Sequence, residues 1–382
     1  MNEELRRRLL ALVKRLAGKR VLVVGDMVAD EYITGAPLRI SREAPVLVLR
    51  HQGQSVTPGG ATNPAVNART LGAEVFLAGV VGDDAPGEQL RARLADYGVR
   101  MDGLFTTPDR PTSTKTRVLA GDTQLVQQQI VRIDRIDDSD LDAAVTRRIT
   151  SYLRETIPTV DALIISDYEN GVISPDILAA ALSLARAHGL IVVADSHGDL
   201  ARFQGVTALT PNQPEAEASL GAPLTNTTAL EVGGRRLLEL TGAQAALITR
   251  GSHGMSLIPR YGAPLHLPAS NLTAVADPTG AGDTVAATFT LALAADGATD
   301  GSADSATGDA SGGAPTDAHD QAPTGPLIAH ARLADAAALA NIAAGLVVRR
   351  IGCATNTPAE LIAAINALAP TPGPSPTGGR GE

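Results

Sequence analysis

DALIISDYENGVISPDILAAALSLARAHGLIVVADSH, residues 161–197, contains two short apolar runs, DALIISDY and LIVVADSH, around the helix-like stretch PDILAAALSLARAHG. Neither run alternates cleanly between apolar and polar residues, which is the pattern of a strand buried on both faces. Strand, helix and strand in that order predict parallel neighbours joined by a crossover helix. The pattern recurs outward along the chain. RVLVVGD (20–26) and AEVFLAGVVGD (73–83) precede it; VTALTPN (206–212) and AALITRGSHG (245–254) follow, with another helix-like stretch at GEQLRARLADYGV (87–99). The fold class read from this repetition is α/β, a doubly wound, mostly parallel sheet with helices on both faces.

Two stretches break the rhythm. Residues 31–56 and 104–134 are β-rich, partly alternating and without helical patterns, so they predict a small second sheet made from two insertions. Residues 296–325 contain no Ile, Leu, Val, Met, Phe, Tyr or Trp. Such a segment cannot offset its ordering entropy by burial, and disorder is expected there and in the tail, 369–382. The remainder, 1–368, is read as one domain carrying the lid and the insertion.

Composition narrows the function classes. The chain has 382 residues, 44% of them hydrophobic, and a formal net charge of −9, enough length for a large core. Acidity, 2% aromatic residues and the lack of a basic stripe argue against a nucleic-acid partner. The opening MNEELRRRLLALVKRLAGKR is amphipathic and charged rather than a signal peptide, and no apolar run reaches membrane-spanning length. The lone cysteine, Cys353, cannot form an intrachain disulfide and suits a reducing compartment. A cytoplasmic location is the expectation.

Chemistry is expected at ADPTGAGDTVAATF, residues 276–289, where Gly280, Ala281, Gly282 and Asp283 lead into an apolar, helix-like run. A helix start offers unpaired N–H groups and the positive end of the macrodipole, which attract anions such as phosphate. The acid there is either a helix cap or a proton acceptor beside that anion hole. Val285 occupies the position where a dinucleotide fingerprint needs glycine, and neither GxxxxGK[ST] nor the HRD and DFG pair occurs. Phosphoryl transfer remains, since it needs an anion hole and a carboxylate that takes a hydroxyl proton. Asp26 at a strand end, and Gly59, Gly60, Asn63 and Asn67 in PGGATNPAVN, are natural partners for sugar hydroxyls. TPNQPEAE sets Asn212 and Glu215 three apart at a helix start, where the carboxylate can orient metal-bound water near phosphates.

Taken in this order, these elements resemble the PfkB, or ribokinase-like, carbohydrate kinases over roughly residues 18–368. GGATN is similar to the early glycine-rich element of that family, TPNQPE to its NxxE element, ITRGSHGM to its TxGxxG region and DPTGAGDT to its most specific signature. The resemblance implies a ribokinase-like fold with a small β lid that often pairs two subunits into a homodimer. It implies Asp283 as catalytic base, with the N–H groups of Gly280, Ala281, Gly282 and Asp283 as the anion hole. By position, Asp26, Gly59, Gly60 and Asn63 would hold the sugar. Asn212, Gln213, Pro214 and Glu215 would organise Mg2+ and phosphates; Thr249, Gly251, Gly254 and Asn341 would line the ATP site. Asp277 and Thr279 would bind a monovalent cation such as K+, or Asp277 is only a turn residue before Pro278.

Within the family the likeness is to kinases of heptose 7-phosphate, through RISREAPV (39–46), TKTRV (114–118), ISDYENGVIS (165–174) and GDTVAAT (282–288). It implies ATP-dependent phosphorylation of D-glycero-D-manno-heptose 7-phosphate at O1, a step of ADP-heptose biosynthesis. Two positions depart from the pattern, Asn170 and His197, each standing where lysine is expected. Lys115 and Arg117 share one face of a strand and either grip the acceptor's phosphate or solvate the lid. The alternatives are a kinase of another sugar or nucleoside, and a catalytically silent sugar-binding regulator.

Overall fold

The computed structural model describes residues 1–121, 128–271, 275–296 and 326–368. Helix α1 (Glu3–Leu16) leads into β1 (Arg20–Gly25), and β2 (Met27–Ile40) and β3 (Leu47–Gly60) follow as a long hairpin. Next come α2 (Thr62–Thr70), β4 (Glu74–Gly82), α3 (Ala85–Asp96), β5 (Arg100–Thr107), β6 (Ser113–Ala120) and β7 (Gln128–Arg135). The chain continues through α4 (Ala143–Thr156), β8 (Ala162–Asp167), α5 (Pro175–Ala187), β9 (Ile191–Ser196), β10 (Ala208–Leu209), α6 (Gln213–Leu220) and α7 (Thr227–Thr241). It ends with β11 (Ala245–Thr249), β12 (Met255–Pro259), β13 (Leu265–Leu267), α8 (Ala281–Asp296), α9 (His330–Val347) and α10 (Pro358–Ala367).

Nine strands form the large sheet in the order β13-β12-β11-β10-β9-β8-β1-β4-β5. Strands β5, β4, β1, β8, β9, β10 and β11 run parallel in it, whereas β12 pairs antiparallel with both β11 and β13 at one edge. Successive side chains on a strand point to opposite faces, so continuous apolar runs feed two cores. Val21, Val23, Ile164 and Val193 meet α1, α2, α8 and α9 on one side. Leu22, Val24, Ile165 and Val192 meet α4, α5 and α7 on the other. Each fully buried Val, Leu or Ile contributes about 1.5–3 kcal/mol, which is why the strands tolerate no polar alternation. Helix α5 starts where its sequence promises, with Ser174 accepting from the Ile177 N–H and Pro175 in the first turn.

The small sheet, β3-β2-β6-β7, is the second sheet expected from the two insertions, with different limits. Its first hairpin begins at Met27 and ends at Gly60, outside 31–56, while residues 104–107 belong to β5 of the large sheet. The β-type pattern alone does not reveal which sheet a strand joins. Three further limits differ. The run 206–212 contributes only Ala208 and Leu209 as strand, because Thr210 to Asn212 already turn into the N-cap of α6. The run 245–254 breaks at a turn in which Gly251 and Gly254 take φ values of 54° and 81°, and β12 starts beyond it. Asp296 closes α8, so the low-complexity segment begins one residue later than read. The disorder expected for 297–325 and 369–382 lies outside the described residues, as do lid residues 122–127. Among the described residues, no helix is long and apolar enough to cross a membrane.

Candidate active site

The carboxyl ends of β1, β8, β9, β10 and β11 converge on one side of the large sheet, where ligands of open α/β folds bind. The start of α8 faces them. Gly280 turns the chain into the helix with φ 77°, and a Cβ there would sit 2.6 Å from Asn63 Nδ2. Asp283 is the third residue of α8 and is 6% exposed. It does not cap the helix. Its Oδ2 accepts from Asn63 Nδ2 at 2.6 Å and its Oδ1 from the Tyr168 hydroxyl at 2.9 Å. The Asn63 amide is oriented in turn: Thr284 Oγ1 donates to Asn67 Oδ1 at 2.8 Å, and Asn67 Nδ2 donates to Asn63 Oδ1 at 2.9 Å. Each bond in such a chain polarises the next. Burial, reinforced by the nearby charge of Asp195, pushes the Asp283 carboxyl up to about 7 against these two hydrogen bonds. A carboxylate poised near neutrality is suited to accept a hydroxyl proton.

Asp26, between β1 and β2, is 1% exposed. Its Oδ2 accepts from the Tyr168 N–H at 2.7 Å and the Asn170 N–H at 3.2 Å; its Oδ1 accepts from the Val172 N–H at 3.0 Å. The loop can aim alternate amides at one carboxylate because Glu169 and Gly171 have φ values of 58° and 82°. Glu169 is the only non-glycine residue with positive φ among those described. Burial still raises the Asp26 carboxyl above its ordinary value, against the three amides. Gly59 and Gly60 close the same wall, since a Cβ on Gly59 would meet Asp30 Oδ2 at 2.5 Å and one on Gly60 the Asp26 carbonyl at 2.4 Å.

On the other side of α8 lies a cavity of about 620 Å³. Thr249, Gly251, Gly254 and Asn341 line it together with Asn212, Ala281 and Gly282. Thr249, Gly251, Gly254 and Asn341, read as lining the nucleotide site, therefore border one space with Ala281 and Gly282 of the glycine turn, while Gly280, Asp283 and Glu215 are not part of its lining. The Ala281 N–H already donates to the Pro278 carbonyl at 3.2 Å. Asn212 and Glu215 form a capping box on α6: Asn212 Oδ1 accepts the Glu215 N–H at 2.9 Å and Glu215 Oε2 the Asn212 N–H at 2.7 Å. Glu215 Oε1 lies 2.7 Å from His197 Nδ1. That contact raises the His197 imidazole above its ordinary value. Pro214 occupies the first turn of α6, while the Gln213 amide donates to Glu217 and to the Leu224 carbonyl, away from the cavity.

The lid cations separate. Asp30 and Lys115 are partners across β2 and β6, and Tyr32 and Arg117 are the next pair on that face. Arg117 Nη1 is bound to Asp30 Oδ1 at 2.7 Å, with both side chains largely buried, so its charge is already committed. Arg132 is likewise held by both oxygens of Asp134. Lys115 has no carboxylate partner among the described residues; its Nζ stands 4.8 Å from the centroid of the Tyr168 ring. Lys115 and Arg117 share one face as read, and there the guanidinium of Arg117 is engaged by Asp30.

Asp277 accepts from the Thr279 N–H and the Gly352 N–H, each at 2.9 Å, which ties the glycine turn to the segment before Cys353. A monovalent cation at Asp277 and Thr279 would share the carboxylate with those two donors. Among the described residues no group of three or more His, Cys, Asp or Glu is placed to hold a metal ion. Four residues of this region were not read from sequence as part of the site: Tyr168, Asp195, Asp30 and Cys353, the last read only as a lone thiol. Burial pushes the Asp195 carboxyl up to about 6. Burial also raises the Cys353 thiol, whose Sγ lies 3.3 Å from Asp30 Oδ2. Position at a strand's carboxyl end was the available signal for Tyr168 and Asp195.

Comparison with known proteins agrees with this geometry. The model of the pfkB family carbohydrate kinases matches residues 19–360. The Bifunctional protein HldE of Geobacter metallireducens is 40% identical over 342 residues, which are 89% of this chain and 62% of that protein, so the chain spans less than two thirds of its relative. Among solved structures, Arabidopsis thaliana ribokinase complexed with ribose and ATP is 18% identical with a TM-score of 0.64, covering 91% of this chain and 99% of that one. Phosphofructokinase-2 from Escherichia coli in complex with potassium is 17% identical with a TM-score of 0.66, covering 92% and 99%. At these identities the two structures establish a shared fold.

Proposed function

The chain belongs to the pfkB family of carbohydrate kinases, and we propose that its acceptor is a phosphorylated sugar, D-glycero-D-manno-heptose 7-phosphate, taken at O1. ATP-dependent transfer to a sugar hydroxyl is the activity of the family. The observation carrying the proposal is Asp283, buried at the start of α8 and held by the hydroxyl of Tyr168, over whose ring the lid residue Lys115 stands. As O1 attacks, its proton passes to Asp283, a bond forms from O1 to the γ-phosphorus, and the bond from that phosphorus to the bridging oxygen breaks to leave ADP. The start of α8 stabilises charge on the transferring group, and Asn63 keeps the base oriented. Bound Mg2+ supplies charge neutralisation on the phosphates. Glu215, with one oxygen on an N–H and the other on His197, fits an orienting role through water, the usual mode for an ion that keeps much of its hydration shell.

The phosphorylated acceptor rests on the heptose-kinase motifs and on Lys115, a lid cation beside Tyr168 whose charge is not spent on a carboxylate among the described residues. ADP release across a panel of sugars and sugar phosphates tests it, with fastest turnover expected for heptose 7-phosphate. Lys115→Ala should slow the phosphorylated acceptors about ten- to a hundredfold and plain sugars far less, because a charge-assisted hydrogen bond is worth roughly 1.5–3 kcal/mol. Faster turnover of ribose or a plain hexose by the unaltered protein rejects the phosphorylated acceptor.

Homodimer formation is inferred from the opposite face of the small sheet. Val131 and Ile133, 46% and 58% exposed, lie there beside Val118 and Thr116. An apolar face on an open sheet is suited to a second copy of the chain. Sedimentation at micromolar concentration should give a dimer, and a monomer there would reject the pairing.

A further inference from the structure

We propose that Tyr168 is a positioning residue for the phosphoryl-transfer base, its hydroxyl fixing the Asp283 carboxylate while the amide nest around Asp26 fixes Tyr168. The inference rests on Asp283 being the base. A carboxylate rotates through a broad, two-fold torsional well, so a single contact leaves its plane undefined. Here two donors on separate elements hold the two oxygens, Asn63 from α2 and Tyr168 from the loop after β8. The remaining lone pairs are thereby given a direction, which is the requirement for efficient proton transfer.

Tyr168 is itself over-determined. Its N–H is held by Asp26, and its ring has the His197 ring at a centroid distance of 4.5 Å and Lys115 Nζ at 4.8 Å. Two residues on, the Asn170 carbonyl accepts from Arg110 Nη2 at 2.9 Å. The loop keeps Glu169 in a left-handed conformation that a non-glycine residue adopts only at a cost, and surrounding contacts must hold such a residue in place. Nest and ring contacts act on Tyr168 directly, and the strained residue is its neighbour in the loop.

Burial raises the Tyr168 phenol well above its ordinary value, so it stays protonated and serves as a donor throughout the working range. A donor favours the charged form of its acceptor, so the hydroxyl lowers the Asp283 carboxyl against burial and Asp195. The other titratable groups around this pair are His197, the Cys353 thiol and Lys115 over the Tyr168 ring. None of them changes in a Tyr168→Phe substitution. Removing the hydroxyl should therefore raise the Asp283 carboxyl further and move the acid limb of activity to higher pH.

The test is the pH profile of kcat/KM for the best acceptor in Tyr168→Phe and in protein carrying 3-fluorotyrosine at 168. The Phe variant should lose about tenfold at pH 7, with its acid limb displaced upward and the deficit narrowing as pH rises, while ATP affinity and Tm hold. Fluorotyrosine keeps ring and hydroxyl, strengthens the donor and should displace the limb downward. A uniform loss with the limb unmoved in both proteins, or an unchanged rate, overturns the positioning role and leaves the kinase reading standing. Failure of the kinase reading would instead appear as absence of turnover in the unaltered protein.

Discussion

Asp283→Asn should lose about a hundred- to ten-thousandfold in turnover, while ATP and the acceptor still bind. Asparagine nearly preserves shape and can still accept from Tyr168, so the loss measures the proton acceptor rather than the cavity. The same substitution should stabilise the fold above neutral pH. The folded carboxyl titrates at about 7, above its unfolded value of 3.8, so its contribution to stability is complete below about pH 4 and is lost as pH rises through 7. Asparagine carries no charge to bury, and the gain in Tm over the parent should grow from pH 5 to pH 8. Turnover near the parent value would remove Asp283 from the base role.

The second large effect is expected at Asp26. Asp26→Ala leaves the N–H groups of Tyr168, Asn170 and Val172 facing a site without an acceptor. A buried donor without a partner costs about 1–3 kcal/mol, so the variant should lose roughly 3 kcal/mol or more in urea unfolding. Turnover should fall at least a hundredfold, because Tyr168 loses its anchor along with any hydroxyl contact Asp26 makes to the sugar. A change in unfolding midpoint worth under about 1 kcal/mol would show that water replaces the carboxylate in the nest.

Local chemistry made much of this architecture readable, and long-range pairing hid the rest. The βαβ unit at 161–197 and the helix start at Asn212 and Glu215 each depend on residue types that admit few alternatives over a short span, whereas the turn at Gly251 and Gly254 was hidden inside an apolar run. The TGAGD stretch likewise marked the start of α8. Contacts that define the base join residues 115 and 220 positions apart, Tyr168 and Asn63 to Asp283, and nothing local specifies them. Arg117 shows the same limit. Alternation correctly put it on one face with Lys115, but its neutralisation by Asp30 depends on the register of β2 against β6. His197, read as a missing lysine, keeps a cationic partner for Glu215 when protonated, which spacing along the chain could not reveal.

The single residue between β1 and β2 has a mechanical consequence. Asp26 separates an interior strand of the large sheet from an interior strand of the small one, and its carbonyl also accepts the Ala61 N–H at 2.8 Å, where β3 returns. Two of the crossings between the sheets therefore meet at one hinge pin, and the same residue's side chain grips the loop that carries Tyr168. The backbone joint and the side-chain grip thus belong to one residue, which couples the seat of the small sheet to the loop whose tyrosine holds Asp283.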